Sequence, residues 1–129
     1  MALYYNVAEK EGLHPLHSGK RKYYAVLRSV GCVNDRGLAK YVASDTELSV
    51  REAETVIELL QKIVVRELLD GKKVKFGELG TFSLTVNSIG CDSVDEVDSD
   101  KIKRIKLNFR PGKNMKKAFS SATFLQVEE

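Results

Sequence analysis

The stretch Gly71-Lys72-Lys73-Val74-Lys75-Phe76-Gly77-Glu78-Leu79-Gly80-Thr81-Phe82-Ser83-Leu84-Thr85-Val86-Asn87 decides the fold. Its apolar residues recur at every second position: Val74 and Phe76 before a turn through Gly77-Glu78-Leu79-Gly80, then Phe82, Leu84 and Val86 alternating with Thr81, Ser83, Thr85 and Asn87. Successive side chains of a strand point to opposite faces, so this spacing predicts a hairpin with one oily face and one polar face. Further on, Ile105, Leu107 and Phe109 alternate with Arg104, Lys106 and Asn108, which predicts a third strand with a basic outward face, ended by Pro111-Gly112. Lys113 to Ala122 then reads as a short helix with Met115, Ala118 and Phe119 inward.

Upstream the period becomes helical. Ser49 and Glu52 form an S-x-x-E capping box, which satisfies two otherwise free N–H groups and starts a helix running from about Val50 to Asp70; Gly71 suits the left-handed position that ends it. Ala53, Val56, Ile57, Leu60, Ile63, Val64, Leu68 and Leu69 make a stripe too wide for one shallow surface, so this helix needs two apolar partners. A shorter helix from about Asp35 to Ser44, capped by Asn34 or Asp35, offers Leu38, Ala39, Tyr41 and Val42 as its packing side. The link Asp45-Thr46-Glu47-Leu48 is short and forces a helical hairpin. Leu3 to Val7 and Lys22 to Arg28 read as two more strands around a loop with Gly12, Pro15 and Gly19; whether Thr123 to Val127 adds an edge strand beside them stays open.

The chain has 129 residues, 43% hydrophobic and 30% charged, which suits one globular domain. Neither a leader pattern nor a membrane-length apolar run is visible, and Cys32 and Cys91 are too few for a disulfide framework, so the expectation is a cytosolic protein with no membrane partner. A net charge of only +3 excludes binding of polyanions by bulk charge, leaving the placement of charges to decide. That placement is uneven. Residues 92–100 carry Asp92, Asp95, Glu96, Asp98 and Asp100 and no base, whereas 101–117 carry Lys101, Lys103, Arg104, Lys106, Arg110, Lys113, Lys116 and Lys117 and no acid.

The ordered set of two helices, Gly80-Thr81-Phe82 leading into a strand, a long arm, and Phe109, Gly112, Lys113, Met115 and Lys116 in a Phe-x-x-Gly-Lys-x-apolar-Lys signature resembles the HU/IHF family of bacterial histone-like DNA-binding proteins over roughly Asp35 to Phe119. The resemblance implies an α+β fold in which a two-helix hairpin, a three-stranded antiparallel sheet with a β-arm and a short C-terminal helix build an intertwined homodimer that straddles double-stranded DNA. It also implies a nucleoid location and an architectural role. The wide stripe of the long helix asks independently for a second copy. Met1 to Val33 has no counterpart in the common family pattern and is similar to an extended branch with extra N-terminal strands, so the chain reads as a single domain, 1–129, with an extension at 1–33 and an acidic arm tip at 88–101.

Two departures matter. The family's arm is basic and ends in Arg-Asn-Pro, whose proline wedges between base pairs. Ser88 to Lys101 has five acids and no proline, which predicts less bending. The turn holds Glu78 and Leu79 where the family has glycine and phenylalanine. The expected DNA-binding residues are Lys103, Arg104, Lys106, Arg110, Gly112, Lys113, Lys116 and Lys117: Arg104 and Lys106 on the sheet's DNA side, Lys113 and Lys116 meeting phosphate with free N–H groups near Gly112. Such contacts read no bases, so sequence preference should be weak.

Other readings are less well supported. Helices 34–44 and 49–70 as a helix-turn-helix would push Glu52, Glu54, Glu58 and Glu67 towards a groove. His14 and His17 lack a third convergent metal ligand. Of Tyr4-Tyr5 and Tyr23-Tyr24, one of each pair is expected in the core and the other at the rim. The acidic loop is either a solubilising tip or a phosphate mimic. No phosphate loop, catalytic triad or metal cluster is legible, so neither an enzyme nor a cofactor nor a small-molecule substrate is expected. The alternative function is an HU-like dimeric protein-interaction module that has lost DNA binding.

Overall fold

The computed structural model describes residues 2–11 and 21–127, and the predicted loop with Gly12, Pro15 and Gly19, like the pair His14 and His17, lies outside the described residues. In chain order the elements are β1 (Ala2–Glu11), β2 (Arg21–Arg28), α1 (Asp35–Asp45), α2 (Val50–Leu69), β3 (Val74–Lys75), β4 (Gly80–Ser88), β5 (Ile102–Pro111), α3 (Lys113–Phe119) and β6 (Thr123–Gln126). They divide into two compact units, Val33–Lys117 and Met1–Cys32 with Ala118–Glu129. Among the described residues no helix is long and apolar enough to cross a membrane.

In the larger unit, Asn34 caps α1 by accepting the Gly37 amide at 2.9 Å. The capping box of α2 closes reciprocally, the Glu52 amide donating to Ser49 Oγ and the Ser49 amide to Glu52 Oε1, each at 3.1 Å. The Ser49 amide, then its hydroxyl, hold the Glu52 carboxyl below the ordinary glutamate value because both favour the charged form. At the other end Gly71 has φ 85°, the left-handed geometry expected of it. There Lys72 Nζ donates to Glu67 Oε2 at 2.8 Å, and this hydrogen bond, followed by the charge of Lys72, lowers the Glu67 carboxyl.

α1 and α2 pack as a hairpin, tied at the surface by Gln61 Nε2 donating to Asp35 Oδ1 at 3.0 Å and by an Arg36–Glu54 ion pair at 3.4 Å. Ala39 and Ala53 are buried, and their small side chains let two helix backbones approach closely. The rest of the expected packing side of α1 is uncovered: Leu38, Tyr41 and Val42 are all exposed. They line an apolar groove of about 630 Å³ with Ile57, Leu60, Val64, Phe76, Leu79 and Phe82. Among the described apolar residues only Ala39, Ala53 and Leu68 are buried, so a single chain does not close its own core.

β3, β4 and β5 form an antiparallel sheet in that order. Phe76 lies in the turn and not in β3, because its amide turns to the Gly80 carbonyl at 2.7 Å. In the smaller unit, β1 pairs antiparallel with β2 along its length, from Tyr4↔Arg28 to Glu11↔Arg21, and parallel with β6 from Ala2↔Thr123 to Tyr5↔Gln126. The open question about Thr123 to Val127 is thus answered by a third strand. That strand shortens the last helix: turns donated by Ser121 and Ala122 to the carbonyls of Ala118 and Phe119 end α3 before Ala122. Only Met115 of its expected inward residues is half-buried; Ala118 and Phe119 are exposed where the helix gives way to those turns.

Candidate functional site

The register of β4 and β5 sorts the sheet into two chemically distinct faces. Phe82↔Phe109, Leu84↔Leu107 and Val86↔Ile105 share one face, with the two phenylalanine rings 4.8 Å apart and tilted by 44°. Thr81↔Arg110, Ser83↔Asn108, Thr85↔Lys106 and Asn87↔Arg104 share the other, joined from β3 by Lys75 opposite Thr81. No carboxylate occurs in β3, β4 or β5, so the cations of the polar face have no anion beside them in the sheet. A polar hollow of about 640 Å³ opens there between Lys73, Thr81, Ser83, Thr85, Asn108 and Arg110. Asn108 Nδ2 donates to Thr85 Oγ1 at 2.9 Å, which occupies a lone pair of that hydroxyl and leaves its proton to be offered elsewhere.

Three expected site residues, Arg104, Lys106 and Arg110, therefore stand in one row. Lys103 does not: the register breaks between Asn87↔Arg104 and Ser88↔Ile102, so Lys103 is the extra residue of a bulge and falls outside the alternating row. Gly112 also differs from expectation. Its amide is not free, because it donates to the Leu79 carbonyl at 3.0 Å, and a side chain at this position would run into the Glu78 carbonyl. Asn114 Nδ2 adds a bond to Glu78 Oε1 at 2.9 Å. Gly112 is thus the point where the 77–80 turn presses on the start of α3, and close approach explains the glycine. Lys113, Lys116 and Lys117 follow at exposed positions of α3, spaced so that they share one side of it.

Sequence reasoning missed Lys73, Lys75, Thr85 and Asn108 as site residues. The two-residue alternation of Thr81, Ser83 and Thr85 was the available signal, but only the pairing register shows that this row meets the cations of β5.

At the far end of β4 and β5 the chain makes two single-turn 3-10 segments, Val94–Glu96 and Ser99–Lys101, closed by the Ile89 amide on the Lys101 carbonyl at 2.9 Å. Asp98 Oδ1 accepts the Asp100 amide at 3.1 Å. Asp92, Asp95, Glu96, Asp98 and Asp100 are all exposed on this tip, beside an 88% exposed Val94. Among the described residues no group of three His, Cys, Asp or Glu side chains could hold a metal ion.

The model of the HU-HIG family, an HU domain fused to wHTH, Ig, or Glycine-rich motif, matches residues 1–126. A chain from Bacteroides vulgatus ATCC 8482, named as a candidate bacterial DNA-binding protein, shares the fold with a TM-score of 0.64 at 13% sequence identity, over 98% of this chain and 49% of that one. The present chain thus spans about half the length of that neighbour. No curated protein matches it.

Proposed function

Because the chain belongs to the HU-HIG family of HU domains, we propose that it binds double-stranded DNA as a homodimer, through phosphate contacts and with little sequence preference. The observation that carries this reading is the acid-free polar face of the β3-β4-β5 sheet, where Lys75, Arg104, Lys106 and Arg110 stand over a floor of hydroxyl and amide groups. Cations supply affinity for phosphate, and neutral donors such as Thr85 fix the backbone's position without reading bases. Lys113, Lys116 and Lys117 add side-chain charge from α3. Their contribution does not need a free amide at Gly112.

The uncovered groove between α1, α2 and the sheet supports the homodimer. Covering the exposed part of Leu38, Val42, Leu60 and Leu79, somewhat under half of each side chain, stabilises by roughly 1 kcal/mol apiece, and a second copy of the chain carries the same groove. The role is architectural and nucleoid-associated, with less bending than a proline-tipped arm would give, since the acidic tip has no wedge and repels phosphate. The exposed acidic tip also favours the second reading, a dimeric module that contacts basic proteins in place of DNA.

A gel shift at low and at physiological salt separates the two. Binding should show a steep log–log salt dependence, and Arg104→Gln with Lys106→Gln and Arg110→Gln should flatten it by about 2.7 per chain, at about 0.9 for each lost phosphate contact. Undiminished binding after Lys113→Glu with Lys116→Glu would reject α3 as part of the contact surface. Sedimentation should give a dimer that Leu60→Glu dissociates; a monomeric unaltered protein would end the dimer reading.

A further inference from the structure

The oily face of β4 and β5 runs on past the end of β3. β3 accompanies β4 only at Thr81 and Phe82, so from Ser83 to Ser88 the sheet is two strands wide. Burial fades along it: Phe82 and Leu84 are half-buried, whereas Val86 is 51% exposed, Leu107 57%, Ile105 57% and Ile102 46%. Ile102 joins this face through the bulge. Regular pairing beyond Asn87↔Arg104 would set Lys103 opposite Ser88 and turn Ile102 to the cationic side, since a slip of one residue exchanges the two faces. The register shift instead pairs Ser88 with Ile102, which puts an isoleucine next along the row from Ile105. The irregularity thus preserves an exposed apolar row that a ribbon surrounded by water does not need, and a two-stranded ribbon without cover is only marginally stable.

We infer that this row packs against the partner subunit of the homodimer, so that the arm is held from behind by a second copy and is not a free limb closing round the duplex. The inference rests on the homodimer proposed above and extends its contact surface beyond the groove. Two observations name the occupant. Phe82 lines the groove and pairs with Phe109; Leu84↔Leu107 and then Val86↔Ile105 follow, so groove and row make one continuous apolar surface. Half of four aliphatic side chains amounts to roughly 300 Å² per chain, against ~800 Å² per partner in a stable protein contact, which is too little to hold a separate protein and enough to enlarge an interface already there. The opposite face, with Arg104, Lys106 and Arg110, stays open to phosphate.

Val86→Thr with Ile102→Thr and Ile105→Thr keeps the β-branched shape that strands favour and makes the row polar. At about fivefold for each half-covered side chain, with two arms in a dimer, the dissociation constant from sedimentation should rise at least about a hundredfold while circular dichroism stays unchanged. In parallel, a benzophenone side chain is placed in the full chain at Ile105, or at Arg104 as the control on the opposite face. Irradiation should give a covalent dimer from Ile105, with and without duplex, and little from Arg104. A dimer not weakened by the three substitutions, or cross-linking from Ile105 no stronger than from Arg104, would overturn the inference and leave the homodimer standing. Cross-linking confined to concentrations at which a tetramer forms would give the row to a second dimer and overturn it as well. A monomeric unaltered protein would remove both readings.

Discussion

Gly112→Ala tests the reassignment of this residue from phosphate contact to packing. A Cβ at this position meets the backbone carbonyl of Glu78, with the Glu78 carbonyl carbon at 2.9 Å as well, and a backbone cannot swing aside as a flexible side chain can. Relief requires the 77–80 turn and the start of α3 to separate, which strains or breaks the Gly112 N–H bond to Leu79 at 3.0 Å and the Asn114 bond to Glu78 at 2.9 Å. Overpacking of this kind costs about 1–3 kcal/mol, and a lost hydrogen bond about 1 kcal/mol more. The expected loss is therefore about 2–4 kcal/mol, offset slightly by the lower chain entropy of alanine. Urea unfolding followed by circular dichroism measures it as a drop in midpoint at constant slope. Gly31 and Gly90 have nothing within 4 Å of an added Cβ and serve as references, where alanine should change stability by less than about 0.5 kcal/mol. If Gly112→Ala unfolds at the same urea concentration as Gly90→Ala, the packing argument is wrong; if it stays as stable but loses DNA affinity, the original phosphate role is restored.

Ser49→Ala should cost about 1 kcal/mol at neutral pH by uncapping α2. Because the fold lowers the Glu52 carboxyl, the box's charged form contributes stability above the unfolded glutamate value, and this is lost as pH falls through the lower folded value; an NMR titration of Glu52 at the value of an exposed glutamate would contradict it. Replacing Asp92, Asp95, Glu96, Asp98 and Asp100 by Asn or Gln should tighten DNA binding at matched salt if the tip repels phosphate, and unchanged affinity would make it a mere solubilising cap.

Local chemistry made much of the fold legible. Ser49 with Glu52 and Gly71 bracket α2 because capping and left-handed backbone are properties of a few adjacent residues. Alternation in 81–87 and 104–109 gave the faces of β4 and β5 for the same reason. What escaped depends on partners distant in sequence. Lys103 counts as one more cation in a run until pairing places it at a bulge, and the Gly112 amide counts as free until Leu79 is seen to accept it. Leu38, Tyr41 and Val42 have the spacing of a buried side, yet are exposed, since the surface that would cover them is not supplied by the same chain.

The parallel pairing of β1 with β6 also sets an order of assembly. Residues Ala2–Glu11 are synthesised well before one of their two neighbours, Thr123–Gln126, which follows more than a hundred residues later. During synthesis the helices and the β3-β4-β5 sheet can fold while β1 has only β2 beside it, with one edge bare. Nascent chains stalled before Thr123 would therefore be the aggregation-prone species, and a chaperone's window falls between the completion of β5 and the arrival of β6.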